Sequence, residues 1–157
     1  MKWLLLICPV AFVTGWLLFP FITLFASGNC ITRSVLIYDE PRGVVTSHAE
    51  WNTLRGGTQH HYTSHITLRL DNGTEEKFST ERVVTTSARF HWDSVGITTV
   101  KSFRIEGPGK NDPRAEKYSD PLSREGFSAR IYFFRAGERL FSGFNNRPLV
   151  TCEKKKG

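Results

Sequence analysis

The side chains best suited to chemistry are five histidines, His48, His60, His61, His65 and His91, in a chain of 157 residues. Imidazoles four apart on a helix share a face and can chelate one ion, and His61 and His65 have that spacing. The surrounding residues read as a strand, however. There the same two lie ~13 Å apart at ~3.3 Å per residue, beyond the reach of a common ion. No cysteine or carboxylate cluster completes a ligand set with His60, His61 and His65, so neither a metal site nor a cofactor is expected. Histidine also titrates near neutrality and can sense pH, but imidazoles on the polar face of a strand meet water without any such role. No catalytic set emerges elsewhere. Ser142-Gly143 lacks the flanking residues of a Gly-x-Ser-x-Gly elbow. Gly107-Pro108-Gly109-Lys110 has the residue types of a phosphate loop, but its proline lacks an N–H and no Ser or Thr follows the lysine. Glu75, Glu76 and Glu81 flank a turn and read as a solvated face. No catalytic residue is assigned, and the expected class is non-enzymatic.

The elements that carry these residues alternate with period two. Segment 31–38 is β-rich and ends in the turn residues Asp39 to Gly43. Segment 44–54 follows. In 62–70, Tyr62, Ser64, Ile66, Leu68 and Leu70 share one face, with His61, His65, Thr67 and Arg69 on the other. Asp71-Asn72-Gly73-Thr74 predicts a tight hairpin, because Asn-Gly readily takes positive φ; that reading outranks the glycosylation sequon in the same residues. Segment 82–92 puts Val84, Thr86, Ala88, Phe90 and Trp92 on one face, and 98–106 alternates again with Phe103 and Ile105 together. Residues 111–126 break the pattern. Asp112-Pro113 and Asp120-Pro121 each look like an N-cap followed by a proline at the first helical position, which predicts two short helical pieces ending at Gly126. Strands follow at 127–136, 139–144 and 149–152. In the first of these Phe127, Ile131 and Phe133 share one face and Tyr132 and Phe134 the other. A strand apolar on both sides needs a second cover, from the 111–126 connection, a ligand or a partner protein; Tyr132 and Phe134 are the candidate interaction residues. Seven or eight short strands predict a mainly β fold, a small antiparallel β-barrel or sandwich with one or two short helices.

Residues 3–26 precede all of this and hold no charged side chain. As a helix rising ~1.5 Å per residue the run reaches ~36 Å, enough for a hydrocarbon core of ~30 Å. Trp3 opens it, Trp16 lies within it and Ala26 closes it. A cleaved secretory signal is the rival, with Ala26-Ser27-Gly28 as its site, but the n-region is a lone Lys2 and the apolar stretch is too long. An uncleaved transmembrane anchor over 1–28 is the expectation, followed by a β-domain over 29–153 and a basic tail over 154–157. Charge is nearly neutral on orientation, and an exported C-terminal domain is the default. Cys30 opens the β-domain and Cys152 nearly closes it, so an oxidising compartment would let them pair; two unrelated thiols are the alternative. The net charge of +6 is spread out apart from Lys154, Lys155 and Lys156. Without a basic patch interleaved with aromatics, direct nucleic acid contact is not expected.

The anchor leading at once to Cys30, the segments ITLRLDNG and RVVTTSARFHW, the polar stretch Lys110-Asn111-Asp112-Pro113 and the closing Leu140-Phe141, Pro148 and Cys152 resemble the FidL-like family of small bacterial inner-membrane proteins. The resemblance spans nearly the whole chain and rests on layout. It implies a single-pass protein of the bacterial inner membrane with a periplasmic C-terminal domain, similar in layout to ToxS-type accessory proteins. It further implies a partner, another single-span membrane protein such as a ToxR- or CadC-type transcription regulator. The alternative expectation is a periplasmic module that binds an apolar or amphipathic ligand, a lipid or bile salt, inside the barrel.

Overall fold

The computed structural model describes residues 8–15, 30–54, 57–91, 94–105, 112–136, 139–144 and 147–154; for residues 30, 133–136, 139, 140 and 147–154 this is the backbone alone. Eight strands lie among the described residues: β1 (Cys30–Glu40), β2 (Gly43–Thr53), β3 (Gln59–Leu70), β4 (Glu75–Phe90), β5 (Val95–Arg104), β6 (Ser128–Ala136), β7 (Arg139–Phe144) and β8 (Arg147–Lys154). Each pairs antiparallel with the next, and β8 returns to β1, so the sheet closes into an up-and-down barrel. Closure satisfies the backbone groups that an open sheet leaves at its edges.

The alternation seen in the sequence becomes inside and outside. Val45, Ser47 and Ala49 of β2, Tyr62, Ser64 and Ile66 of β3, and Phe78, Thr80, Arg82 and Val84 of β4 are buried. Their neighbours Val44, His48 and His65 are exposed. Phase holds along β4 until the register shifts between Thr85 and Thr86. Beyond that point Ser87, Ala88, Arg89 and Phe90 are all exposed. The unpaired residue lies on β5: Thr85 pairs with Lys101 and Thr86 with Thr99, which leaves Val100 over, exposed on the outer wall.

Two turns fix register. At 71–74 the Asn72 Oδ1 accepts from the Thr74 N–H at 2.9 Å and Gly73 sits at φ +84°, the hairpin geometry that Asn-Gly implied. At the start of β2, a Cβ on Gly43 would stand 2.1 Å from the Arg69 carbonyl oxygen, so only glycine lets β2 approach β3 this closely.

The 112–127 connection between β5 and β6 holds the two helical pieces. The first is α1 (Arg114–Tyr118), where Asp112 caps one residue earlier than a standard N-cap: its Oδ1 accepts from the Arg114 N–H at 2.8 Å. The second is a 3-10 turn, Pro121–Ser123, with Asp120 as its N-cap. Both lie against the inner face of the barrel. Ala115 and Tyr118 form one core cluster with Val45, Ile66 and Phe78, and Ala49, Tyr62 and Val84 form a second beside it. Burial of each large apolar side chain contributes roughly 1.5–3 kcal/mol. Tyr118 also packs its ring against Tyr38 and Phe78, at centroid distances of 5.5 and 6.4 Å. The connection therefore covers β2 to β4.

Residues 8–15 are helical and exposed. Among the described residues no helix is long and apolar enough to cross a membrane; Trp3, Trp16 and Ala26 lie outside the described residues. The backbone pairs Thr32 with Cys152 and Cys30 with Lys154. The first and last strands thus meet, but the two cysteines sit on diagonal rather than opposite positions, ~7–8 Å apart, which is wider than a disulfide spans; their side chains lie outside the described residues.

Candidate functional site

The densest set of ionisable and hydrogen-bonding groups surrounds the connection where it meets the inner wall. Its sequence logic is local at first. Asp120 precedes Pro121, so its carboxylate is placed to cap the 3-10 turn, and Oδ1 accepts from the Leu122 N–H at 2.9 Å. The second oxygen accepts from Trp51 Nε1 at 3.2 Å, across 69 residues of chain. The Asp120 N–H in turn donates to the Tyr62 phenolic oxygen at 2.8 Å. Trp51 packs against Tyr62 with ring centroids 4.7 Å apart and the planes inclined at 55°. The inner wall of β2 and β3 therefore holds one residue of the connection by two separate hydrogen bonds, from Trp51 and to Tyr62.

Burial governs the electrostatics here. It raises the Asp120 pKa above the ordinary carboxylate range, against the lowering effects of the Leu122 N–H, Trp51 and Arg124. It pushes the Tyr62 phenol up to about 12. It also lowers the pKa of His60, whose ring lies between Thr53 and Thr86, with Nε2 2.9 Å from the Thr86 hydroxyl. These groups hold neutral forms or capped charges. Both Asp120 oxygens are engaged by donors from the chain itself, which makes the residue an anchor rather than a free base.

A second anchor is ionic. Arg82 is 5% exposed, an unusual depth for a guanidinium. It pairs with Glu116 of α1 and donates to the Ser123 carbonyl at 3.3 Å, while its Nε has no partner. Arg104, directly opposite Arg82 on β5, reaches the same Glu116 oxygen at 2.8 Å. Burial pushes Glu116 up, but the two guanidinium groups outweigh it and hold its pKa below the usual value. Arg124 donates to the Glu116 and Lys117 carbonyls at 2.9 and 3.1 Å, satisfying acceptors that a helix end leaves free. Thr99 and Ser102 bind the Leu122 and Ser123 carbonyls. At the rim Lys117 meets Glu40 at 2.6 Å and Arg114 meets Glu76 at 2.5 Å. The connection is fastened along its whole length.

Several residues singled out by sequence fall elsewhere. His61 bonds Glu81 at 2.6 Å, and Glu75 and Glu76 bind Arg69 and Arg114, so the three glutamates are partnered instead of merely solvated. Among the described residues no group of three or more His, Cys, Asp or Glu is placed to hold a metal ion. Tyr132 is half-buried, and the Phe134 side chain lies outside the described residues. On the described outer wall, exposed apolar side chains stand on β1 at Val35 (54%) and Ile37 (68%), and also on β2 at Val44 and on β5 at Val100 and Phe103. Arg82 and Glu116 were not anticipated. The phase of Arg82 with Val84 was a usable signal for an inward guanidinium; nothing local marked Glu116 as its partner.

No protein-family model matches the chain, and a search of curated proteins finds no match.

Proposed function

We propose that the chain is a non-enzymatic, single-span inner-membrane protein whose barrel serves as accessory partner to a membrane-bound transcription regulator of ToxR/CadC type. The observation that carries this reading is the division of labour between the two faces of the barrel. The inner face of β1 to β5 is taken up by the chain's own connection, with Ala115, Tyr118 and Ser123 buried against it. The outer face of β1 presents Val35 and Ile37 to solvent. Binding energy left unused by the fold therefore lies on the outside, where a neighbouring protein would meet it. An apolar ligand inside the barrel would compete with Ala115 and Tyr118 for Val45, Ile66 and Phe78.

Position strengthens the reading. Residues 3–26 have the length and composition of a membrane anchor, and β1 begins at Cys30, only four residues beyond Ala26. A span at 3–26 holds the barrel near the bilayer surface, suited to side-by-side contact with another anchored protein. Photo-crosslinking from positions 35 and 37 in native membranes tests the proposal. The expected product is a heterodimer with a single-span protein bearing a cytoplasmic DNA-binding domain. Crosslinks to lipid alone, or none from either position, would overturn it.

A further inference from the structure

The five histidines separate into different environments once the barrel closes. His60 lies between Thr53 and Thr86, and His61 rests on Glu81. His48 and His65 have no hydrogen-bond or ion-pair partner among the described residues, both are exposed, and the register of β2 on β3 sets them directly opposite one another. We propose that His48 and His65 form a two-imidazole chelate on the outer wall of the barrel that takes a late first-row divalent cation, copper(II) foremost.

Residues directly opposed in an antiparallel pair have Cβ atoms ~4.5–5.5 Å apart and project from the same face. From that separation two imidazole nitrogens can converge to ~2.0–2.1 Å from a common ion. The distance of ~13 Å that separates His61 from His65 along a single strand does not arise across two strands. The wall around the pair is open. Val35 stands opposite His48 on β1, and Ser79 opposite His65 on β4. The nearest carboxylate on β2, Glu50, is held by Arg33 at 3.0 Å. Two protein nitrogens with water completing the shell suit the tetragonal preference of copper(II), which also heads the affinity order of the divalent series for nitrogen donors. Once the first imidazole binds, the second is presented at high effective concentration by a rigid sheet, so the pair should bind far more tightly than either alone.

The test uses the full-length chain without a histidine tag, in mild detergent, titrated with copper(II). Electron paramagnetic resonance reads the nitrogen donors, and calorimetry reads the affinity. One tight site with two imidazole donors is expected. His48→Asn and His65→Asn should each weaken it by about tenfold or more, while His61→Asn and His91→Asn leave it unchanged. Thermal melts of the metal-free variants guard against misfolding, which exposed His→Asn changes on a strand surface should not cause. Wild-type affinity in either His48→Asn or His65→Asn overturns the proposal, as does an equal loss in His61→Asn or His91→Asn.

Discussion

Replacing Tyr62 with phenylalanine removes a single oxygen from the inner wall and exposes how the connection is held. The ring is fully buried and packs against Trp51, and phenylalanine keeps that packing. What disappears is the acceptor for the Asp120 N–H. A buried donor left unsatisfied costs about 1–3 kcal/mol. With an unfolding entropy of ~2.1 cal/mol/K per residue over a domain of ~125 residues, that lowers Tm by roughly 4–11 °C. A second reading comes from pH. Burial raises the Tyr62 phenol to about 12 in the folded state, above ~10 in an unfolded chain. The neutral phenol is therefore the form the fold favours. Its contribution is complete below pH ~10 and is lost as pH rises through about 12, by up to ~3 kcal/mol at ~1.4 kcal/mol per unit. Tyr38 is shifted the same way, chiefly by burial, so the alkaline loss in Tyr62→Phe should be shallower, not absent. Urea unfolding of the full-length chain in mild detergent, followed by circular dichroism at several pH values from 8 to 12, measures both effects. The gap between wild type and Tyr62→Phe should be widest near pH 8 and narrow toward pH 12. A gap below ~0.5 kcal/mol at pH 8, or one that does not change with pH, would refute the hydrogen bond and the burial respectively.

Other perturbations test the remaining fastenings. Gly43→Ala sets a Cβ against the Arg69 carbonyl oxygen; a loss of about 1–3 kcal/mol in urea unfolding is expected from the strain. Glu116→Gln leaves the Arg82 guanidinium without its countercharge. Because the Glu116 side chain is 46% exposed, the loss should be about 1–3 kcal/mol, below the ~3–5 of a fully buried pair. Glu116 has a lowered folded pKa, so its stabilisation is present above the unfolded value near ~4.3 and fades as pH falls through the folded one; Glu116→Gln should flatten that acid limb in a denaturation series. Asp120 has the opposite sign. Its folded pKa is raised, so its contribution is greatest below ~3.9 and is lost as pH rises through the folded value. Asp120→Asn should remove that decline, and an unchanged profile above pH ~4 would show the carboxyl to be solvated.

The difference between Asp120 and Arg82 shows how far local sequence reaches. Asp120-Pro121 announces a cap within three residues, and the structure places the cap there. Asn72-Gly73 announces a tight turn in the same way, and the two hydrogen bonds linking Leu70 with Gly73 and Thr74 close it. Period two separated Tyr62, Ser64 and Ile66 from His61 and His65 because a strand points successive side chains to opposite faces whatever it pairs with. The bulge that leaves Val100 unpaired opposite Thr85 and Thr86 was not legible in the alternation of 98–106. Bulges answer to the partner strand and to barrel curvature, not to the bulged residues alone.

Residue order alone carries the local grammar: an apolar run, strands with an inside and an outside, a turn at Asn72-Gly73 and a cap at Asp120. Which of those faces meet depends on how the whole sheet closes. Tertiary structure set Glu116 on Arg82 across 34 residues and Trp51 on Asp120 across 69, and it set His48 opposite His65 on neighbouring strands. The physical reason is that φ/ψ preference and side-chain period act over a few residues, whereas register and closure are properties of the whole sheet. The histidines that drew attention first illustrate the limit. Spacing along one strand argued against a shared ion, and the pairing of two strands brought together a different pair.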